Sequence, residues 1–176
     1  MDFDFLTPRR LLVGQGASQR LPDLCRELGG KRAFLVTDAG IVRAGLLDDI
    51  KAAFTKVGMT LTCFTEVAAD PVDSIVLKAC LEAQAAQADC LIGFGGGSSM
   101  DVAKLVAKLC HPDNHQQLAD LYGIGKVAGA RLPLIQVPTT AGTGSEATPI
   151  AIITTGATTK SGVVSPQLLP DLALLD

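Results

Sequence analysis

Short apolar runs alternate with longer amphipathic stretches along most of the chain, a rhythm that predicts βαβ units around a mostly parallel sheet. Residues 11–13 read as a strand, 17–28 as a helix, 33–37 as a strand and 46–57 as a helix. The next strand covers 60–64. It is followed by a helix over 71–87, where Val72, Ile75, Val76, Ala79, Ala83 and Ala86 keep the helical spacing of a buried stripe, and then by a strand at 89–93. From 98 to 110, Val102, Leu105, Val106 and Leu109 fall at i, i+3, i+4 and i+7, while Asp101, Lys104 and Lys108 share the other side. Residues 111–129 are a polar excursion with room for a short helix, and 132–137 are a strand closed by Pro138. The last third differs: 150–154, 162–165 and 172–175 are short apolar runs separated by Gly, Thr and Pro. The expected fold is α/β, a mostly parallel sheet flanked by helices with an added β-hairpin or meander.

One strand of this pattern ends in bare backbone. Cys90-Leu91-Ile92-Gly93-Phe94 runs into Gly95-Gly96-Gly97-Ser98-Ser99 and leaves through Met100-Asp101-Val102-Ala103-Lys104, so a strand turns directly into a helix. Such a turn presents unpaired amide N–H groups at the positive end of a helix dipole with no Cβ in the way, which is a seat for phosphate. A second motif, Pro138-Thr139-Thr140-Ala141-Gly142-Thr143-Gly144-Ser145-Glu146, follows another strand and is dense in hydroxyls and glycine. Hydroxyl donors on a permissive backbone at a strand's carboxyl end suit the ribose, amide and phosphate oxygens of a dinucleotide. The third element is Asp38, after Phe34-Leu35-Val36-Thr37, a carboxylate placed to accept both hydroxyls of an adenosine ribose. The usual fingerprint sets G-x-G-x-x-G at the first strand and the acid about 20 residues later. Here the acid precedes the glycines by more than fifty positions, so on local rules the three elements admit either a dinucleotide site or ordinary turns.

Length and charge narrow the partners. A chain of 176 residues is enough for one core of ordinary domain size. Its net charge is −3 and its pI 5.3, with no basic run and no aromatic platform, which excludes a nucleic-acid footprint. The longest apolar stretches fall far short of the ~20 residues a membrane helix needs. Met1-Asp2-Phe3-Asp4 is acidic where a signal peptide would be basic, so a cytoplasmic protein with no membrane partner is expected. Cys25, Cys63, Cys80, Cys90 and Cys110 are odd in number and lack a C-x-x-C pair; they read as reduced, mostly buried apolar residues rather than a disulfide framework or zinc knuckle. His111 and His115 stand four apart, but Pro112 breaks the helical geometry a shared metal would require, so no metal ligand is expected. An ATPase would need the phosphate-gripping lysine of G-x-x-x-x-G-K-[ST], which the sequence lacks.

Taken together, the segments 95–104 and 138–146 resemble those of the iron-containing, or group III, alcohol dehydrogenases. The match runs in order through the Gly14-x-Gly16 turn, Val36-Thr37-Asp38, the Asp70-Pro71 step, both motifs and the closing Ser165-Pro166-Gln167-Leu168-Leu169-Pro170. The resemblance implies that residues 1–176 form a Rossmann-like NAD-binding domain, without the all-helical domain that holds the family's divalent metal, iron or zinc. The family's metal ligands, one Asp and three His, would lie beyond Leu174-Leu175-Asp176. A truncated chain, a proteolytic fragment or an incomplete reading frame is therefore expected, inactive by itself. A mean hydropathy of +0.35 is high for a free domain and accords with a missing partner surface, a homodimer being one such partnership. The implied activity is hydride transfer between an alcohol and its aldehyde or ketone with NAD, the metal polarising the oxygen. A glycerol-type polyol dehydrogenase or an oxoacid reductase on the same scaffold is the alternative. From another class, a non-catalytic nucleotide-binding or dimerisation module stays open.

Each role the resemblance implies has a structural competitor. Gly96, Gly97 and Ser98 resemble pyrophosphate contacts, against a plain strand-to-helix turn with Ser98 as N-cap. Asp101 resembles a contact near the nicotinamide half, yet Ser98-x-x-Asp101 has the spacing of a capping pair. Asp38 resembles the ribose-binding acid, or caps a following helix. Asp70 stands where the family commonly carries Asn, and before Pro71 it is also a good N-cap. Thr139 and Thr140 resemble adenine-side and nicotinamide-side contacts, against an ordinary turn. Thr148 and Lys160 align with later cofactor contacts, although Lys160 alone reads as a solvated surface lysine. No catalytic residue is assigned within the chain. Asp38 also bears on cofactor choice, since a 2′-phosphate about 4 Å from its carboxylate meets roughly 4 kcal/mol of repulsion per charge pair at an effective dielectric of 20. NAD is expected over NADP.

Overall fold

Residues 5–156 and 158–176 are described by a computed structural model; the acidic residues 1–4, which bear on the signal-peptide expectation, lie outside them. The main sheet contains β1 (Arg10–Val13), β2 (Arg32–Asp38), β3 (Thr60–Val67), β4 (Cys90–Gly95), β6 (Leu134–Pro138) and β9 (Leu172–Leu175). Their order is β1-β9-β6-β4-β2-β3, with every pairing parallel. A smaller sheet joins β5 (Gly123–Ile124), β8 (Thr159–Val164) and β7 (Ile150–Thr155), in which β7 and β8 form an antiparallel hairpin. No helix among the described residues is long and apolar enough to cross a membrane.

The central strands are apolar at consecutive positions because both faces of the sheet are covered. On one face Phe34, Val36, Leu91 and Leu134 pack with α4 (Asp73–Ala85) and α5 (Gly97–Leu109). On the other, Leu35, Ile92, Ile135 and Leu174 pack with α1 (Leu21–Glu27) and α3 (Asp48–Lys56). The two-residue period of a strand divides one apolar run between two cores.

Three expectations are corrected. The 17–28 helix is broken into a 3-10 turn, Ala17–Arg20, and α1, with Pro22 in the first turn of α1. The 71–87 helix starts only at Asp73, with Val72 at the N-cap position and no side-chain cap; Asp70, at φ +52°, is not its N-cap. Residues 172–175 are not part of a meander: Leu172, Ala173 and Leu174 are buried, and β9 enters the main sheet between β1 and β6. Lys104 and Lys108, placed on the side of α5 opposite its apolar stripe, are buried like that stripe, while Asp101 on the same side is half-buried. The helix lies against β4 and also against β7 of the smaller sheet, and each lysine reaches backbone carbonyls instead of water.

The approach of α5 to the sheet is set at Gly93. A Cβ there would lie 2.9 Å from the Ala103 methyl and run into the Gln136 side chain, which is itself held by a bond from Nε2 to the Met100 carbonyl. Gly93→Ala is expected to lower stability by about 1–3 kcal/mol through overpacking. A reduced urea midpoint at unchanged m checks this, and an unshifted midpoint contradicts it.

Candidate functional site

Three neighbouring parallel strands, β2, β4 and β6, end at the same edge of the sheet with Asp38, Gly95 and Pro138. From β2 the chain moves outward to β3 and then crosses back to β4 on the far side of β2. Such a reversal of strand order leaves a crevice between the two carboxyl ends, where open α/β sheets bind ligands. The turn out of β4 begins at Gly95 with φ +141°, a conformation L side chains rarely adopt. A Cβ there would also sit 3.0 Å from Ser99 Oγ and 3.4 Å from Asp38 Oδ2.

Helix α5 starts directly after this turn with Gly96 as N-cap and no side-chain cap. Neither the expected Ser98 cap nor the Ser98–Asp101 capping pair forms, so the first-turn amides are left for something else to satisfy. Asp38, by contrast, does cap a helix. Its Oδ1 accepts from the amides of Gly40 at 2.7 Å and Ile41 at 3.1 Å at the start of α2 (Ala39–Arg43), while Oδ2 faces Gly95. The two readings of Asp38 are therefore compatible, because one oxygen serves the helix and the other borders the crevice.

The crevice consists of two clefts. The first, about 590 Å³, is lined by Asp38, Arg43, Val67, Gly96, Thr139 and Thr140. The second, about 340 Å³, is lined by Asp70, Asp101, Ser145, Thr148, Ile152 and Lys160. Gly97 and Ser98 border both. Every residue that resembled a cofactor contact in the sequence lines one cleft or the other. Both volumes lie in the range of small-molecule pockets, roughly 300–1,000 Å³. An extended ligand with an anionic middle fits this arrangement, its charge over the uncapped amides of α5 and a sugar beside Asp38.

The floor of the second cleft is a polar cluster. Asp101 accepts from Ser145 Oγ at 2.6 Å and from the Ile152 amide at 3.0 Å. Lys104 Nζ, fully buried, donates to Ser145 Oγ at 2.9 Å, Thr148 O at 3.1 Å and Ile150 O at 2.6 Å, and lies 3.6 Å from Asp101 Oδ1. Burial pushes its ammonium down to about 8, against the pull of Asp101 and Glu146 in the opposite direction. Sequence reasoning missed Lys104 and Ser145 as members of the site, since helical periodicity sorts residues by face without saying what covers each face. Lys160 is not a free surface lysine: its Nζ pairs with Asp70 Oδ1 at 2.5 Å. Both partners are exposed, so the pair adds little to stability.

Other candidates are quieter. A third cleft, about 540 Å³, lies by Arg9, Arg131 and Asp171, but the Arg131 guanidinium is taken up by Asp171 and by the carbonyls of Leu132, Gln167 and Leu169. His111 Nδ1 accepts from the Asp113 amide, and all five cysteines are free. Among the described residues no group of three His, Cys, Asp or Glu side chains could hold a metal ion.

The family model described as iron-containing alcohol dehydrogenase matches residues 8–176. Sulfoacetaldehyde reductase of Bilophila wadsworthia is 34% identical over 177 residues, covering 100% of this chain and 45% of that protein. The solved structure of a 1,3-propanediol oxidoreductase superposes with a TM-score of 0.93 at 30% identity, over 100% of this chain and 46% of that one. A sulfoacetaldehyde reductase from Bifidobacterium kashiwanohense, solved in complex with NAD+, gives 0.87 at 29% identity, again over 100% and 46%. The chain spans about half the length of the relatives it matches.

Because Oδ1 carries both capping bonds, Asp38→Asn is expected to leave the unfolding free energy within about 0.5 kcal/mol of the unaltered chain, and Asp38→Ala to lower it by about 1 kcal/mol. Chemical denaturation separates the two, and equal losses would overturn the cap.

Proposed function

The chain belongs to the iron-containing alcohol dehydrogenase family, and we propose that it is the NAD-binding part of an enzyme that transfers hydride between an alcohol and its aldehyde or ketone. The observation that carries this reading is the pair of clefts joined at Gly97 and Ser98, at the strand reversal between β2 and β4. NAD has the matching form, two nucleoside halves linked by a diphosphate. The amides at the start of α5 and the Ser98 hydroxyl would hold the diphosphate, and Asp38 Oδ2 the adenosine ribose, with Thr139 and Thr140 along the same wall. The nicotinamide half falls to the second cleft, where Asp70, Asp101, Thr148 and Lys160 are the polar contacts and Ile150 and Ile152 the apolar wall. Bound there, NAD supplies the carbon that gives or accepts hydride. The chain's own contribution is to hold that carbon at a fixed place and to shield one side of it from water.

The NAD+ in the B. kashiwanohense reductase supports the choice of cofactor, and the names of the relatives support small alcohols and aldehydes as substrates. The likeness to 1,3-propanediol oxidoreductase favours a polyol as the second reading of the alcohol. The family is iron-containing, but the described residues do not fit an iron ion, so no step is assigned to a metal on this chain. Five free cysteines accord with a reducing, cytoplasmic setting.

Thermal unfolding of the chain with NAD and with NADP tests the reading. NAD at 100 times its dissociation constant is expected to add about 2.7 kcal/mol of stability. NADP should bind more weakly because its 2′-phosphate would face the Asp38 carboxylate, and Asp38→Gly, which keeps a permitted N-cap, should narrow the gap. Comparable dissociation constants for the two cofactors would defeat the assignment of Asp38, and no shift with either would favour a scaffold role.

A further inference from the structure

Resting on the NAD reading, we propose that Lys104 is a positioning residue of the second cleft: its ammonium fixes Asp101, Ser145 and the Thr148–Ile150 backbone for the cofactor, and must keep its proton for tight binding. Two segments far apart in sequence meet at this one nitrogen. Lys104 lies one turn after Asp101 on α5, Ser145 belongs to the 3-10 turn Ser145–Ala147, and Thr148 and Ile150 lead into β7. Asp101, Ser145, Thr148 and Ile150 all line the second cleft, whereas Lys104 is buried and is not among its lining residues. It acts through the residues it holds.

The charge balance supplies the second half of the argument. The ionisable groups facing Lys104 are Asp101 from its own helix and Glu146 from the 3-10 turn, whose buried Oε2 has no hydrogen-bond partner among the described residues. Strands β6 and β7, which also pack on α5, carry no ionisable side chain, and β4 carries only the buried Cys90 thiol. On α4, Asp73 faces Tyr122 and Lys78 pairs with Glu66. One cation thus stands against two carboxylates behind a cleft assigned to a diphosphate ligand. Loss of its proton leaves both carboxylates uncompensated, and the anionic ligand is repelled. Burial already brings the ammonium down to about 8, so this loss falls within an accessible pH range. By linkage, binding an anion raises the lysine's proton affinity, so binding takes up protons and affinity falls as pH rises past that value.

Calorimetric titration of NAD into the 176-residue chain, in two buffers of different protonation heat, measures both quantities. The expected result is proton uptake at about pH 8.5 and a dissociation constant that weakens about fivefold from about pH 7 to 9.5. Lys104→Arg, which stays charged throughout, should bind without that pH dependence, and Lys104→Met should bind more weakly at every pH and equally flatly. A purely structural lysine would move the melting temperature of these variants without moving proton uptake. Binding by the unaltered chain that is independent of pH and takes up no proton overturns the proposal, and so does a pH dependence that persists in Lys104→Arg. If neither variant folds, the titration of the unaltered chain still decides. Absence of NAD binding at about pH 7 is a different failure, since it overturns the cofactor reading itself.

Discussion

A helix enclosed on several sides, yet starting without a side-chain cap, is the constraint on which the rest of this structure depends. Apart from Asp101, helix α5 is buried from Ser99 to Lys108, held between the main sheet and the hairpin of the smaller one. Burial of Val102, Ala103, Leu105 and Val106 fixes its axis, and the missing side chain at Gly93 lets it approach β4 closely. Because its position is set by packing along its length, its first turn need not be stabilised locally. The amides there can stay free of protein acceptors, and an unsatisfied helix start next to a cleft is a standing attraction for an anion.

The parts of the fold legible in the sequence were those governed by contacts near in the chain. The strand runs 33–37, 60–64, 89–93 and 132–137 matched β2, β3, β4 and β6 to within a few residues, because fully buried parallel strands need uninterrupted apolar runs. The glycine turn was visible because close backbone approach leaves a mark in composition. What escaped was decided at long range. Residues 172–175 are four apolar positions in a segment rich in turn signals, and only the open slot between β1 and β6 makes them a central strand. The burial of Lys104 and Lys108 could not be read because periodicity shows which residues share a face but not whether another sheet covers it. Asp70 looked like a cap because Asp-Pro often starts a helix, but its backbone is left-handed, the helix starts only at Asp73, and the carboxylate pairs with Lys160.

The two clefts are built in different ways, which bears on what each can discriminate. The first is bounded by the ends of neighbouring parallel strands and by backbone at Gly96 and Gly97, with Asp38 held by two bonds to α2. Such a wall moves only if the sheet moves, so it suits a part of the ligand that is always the same. The second is bounded by side chains and loops that meet from distant segments: Asp101 on α5, Ser145 and Thr148 before the hairpin, Lys160 on β8 and Asp70 before α4. Its outer edge is an exposed ion pair, and the polar cluster of its floor is held from behind by a single buried ammonium. A wall assembled from such contacts can shift by one interaction at a time, and local openings of this kind cost less than disruption of a central sheet. On the proposed NAD reading, the nucleotide end of the crevice is therefore the rigid reference. Adjustment to the reacting end then falls to the hairpin that Lys104 ties to the helix.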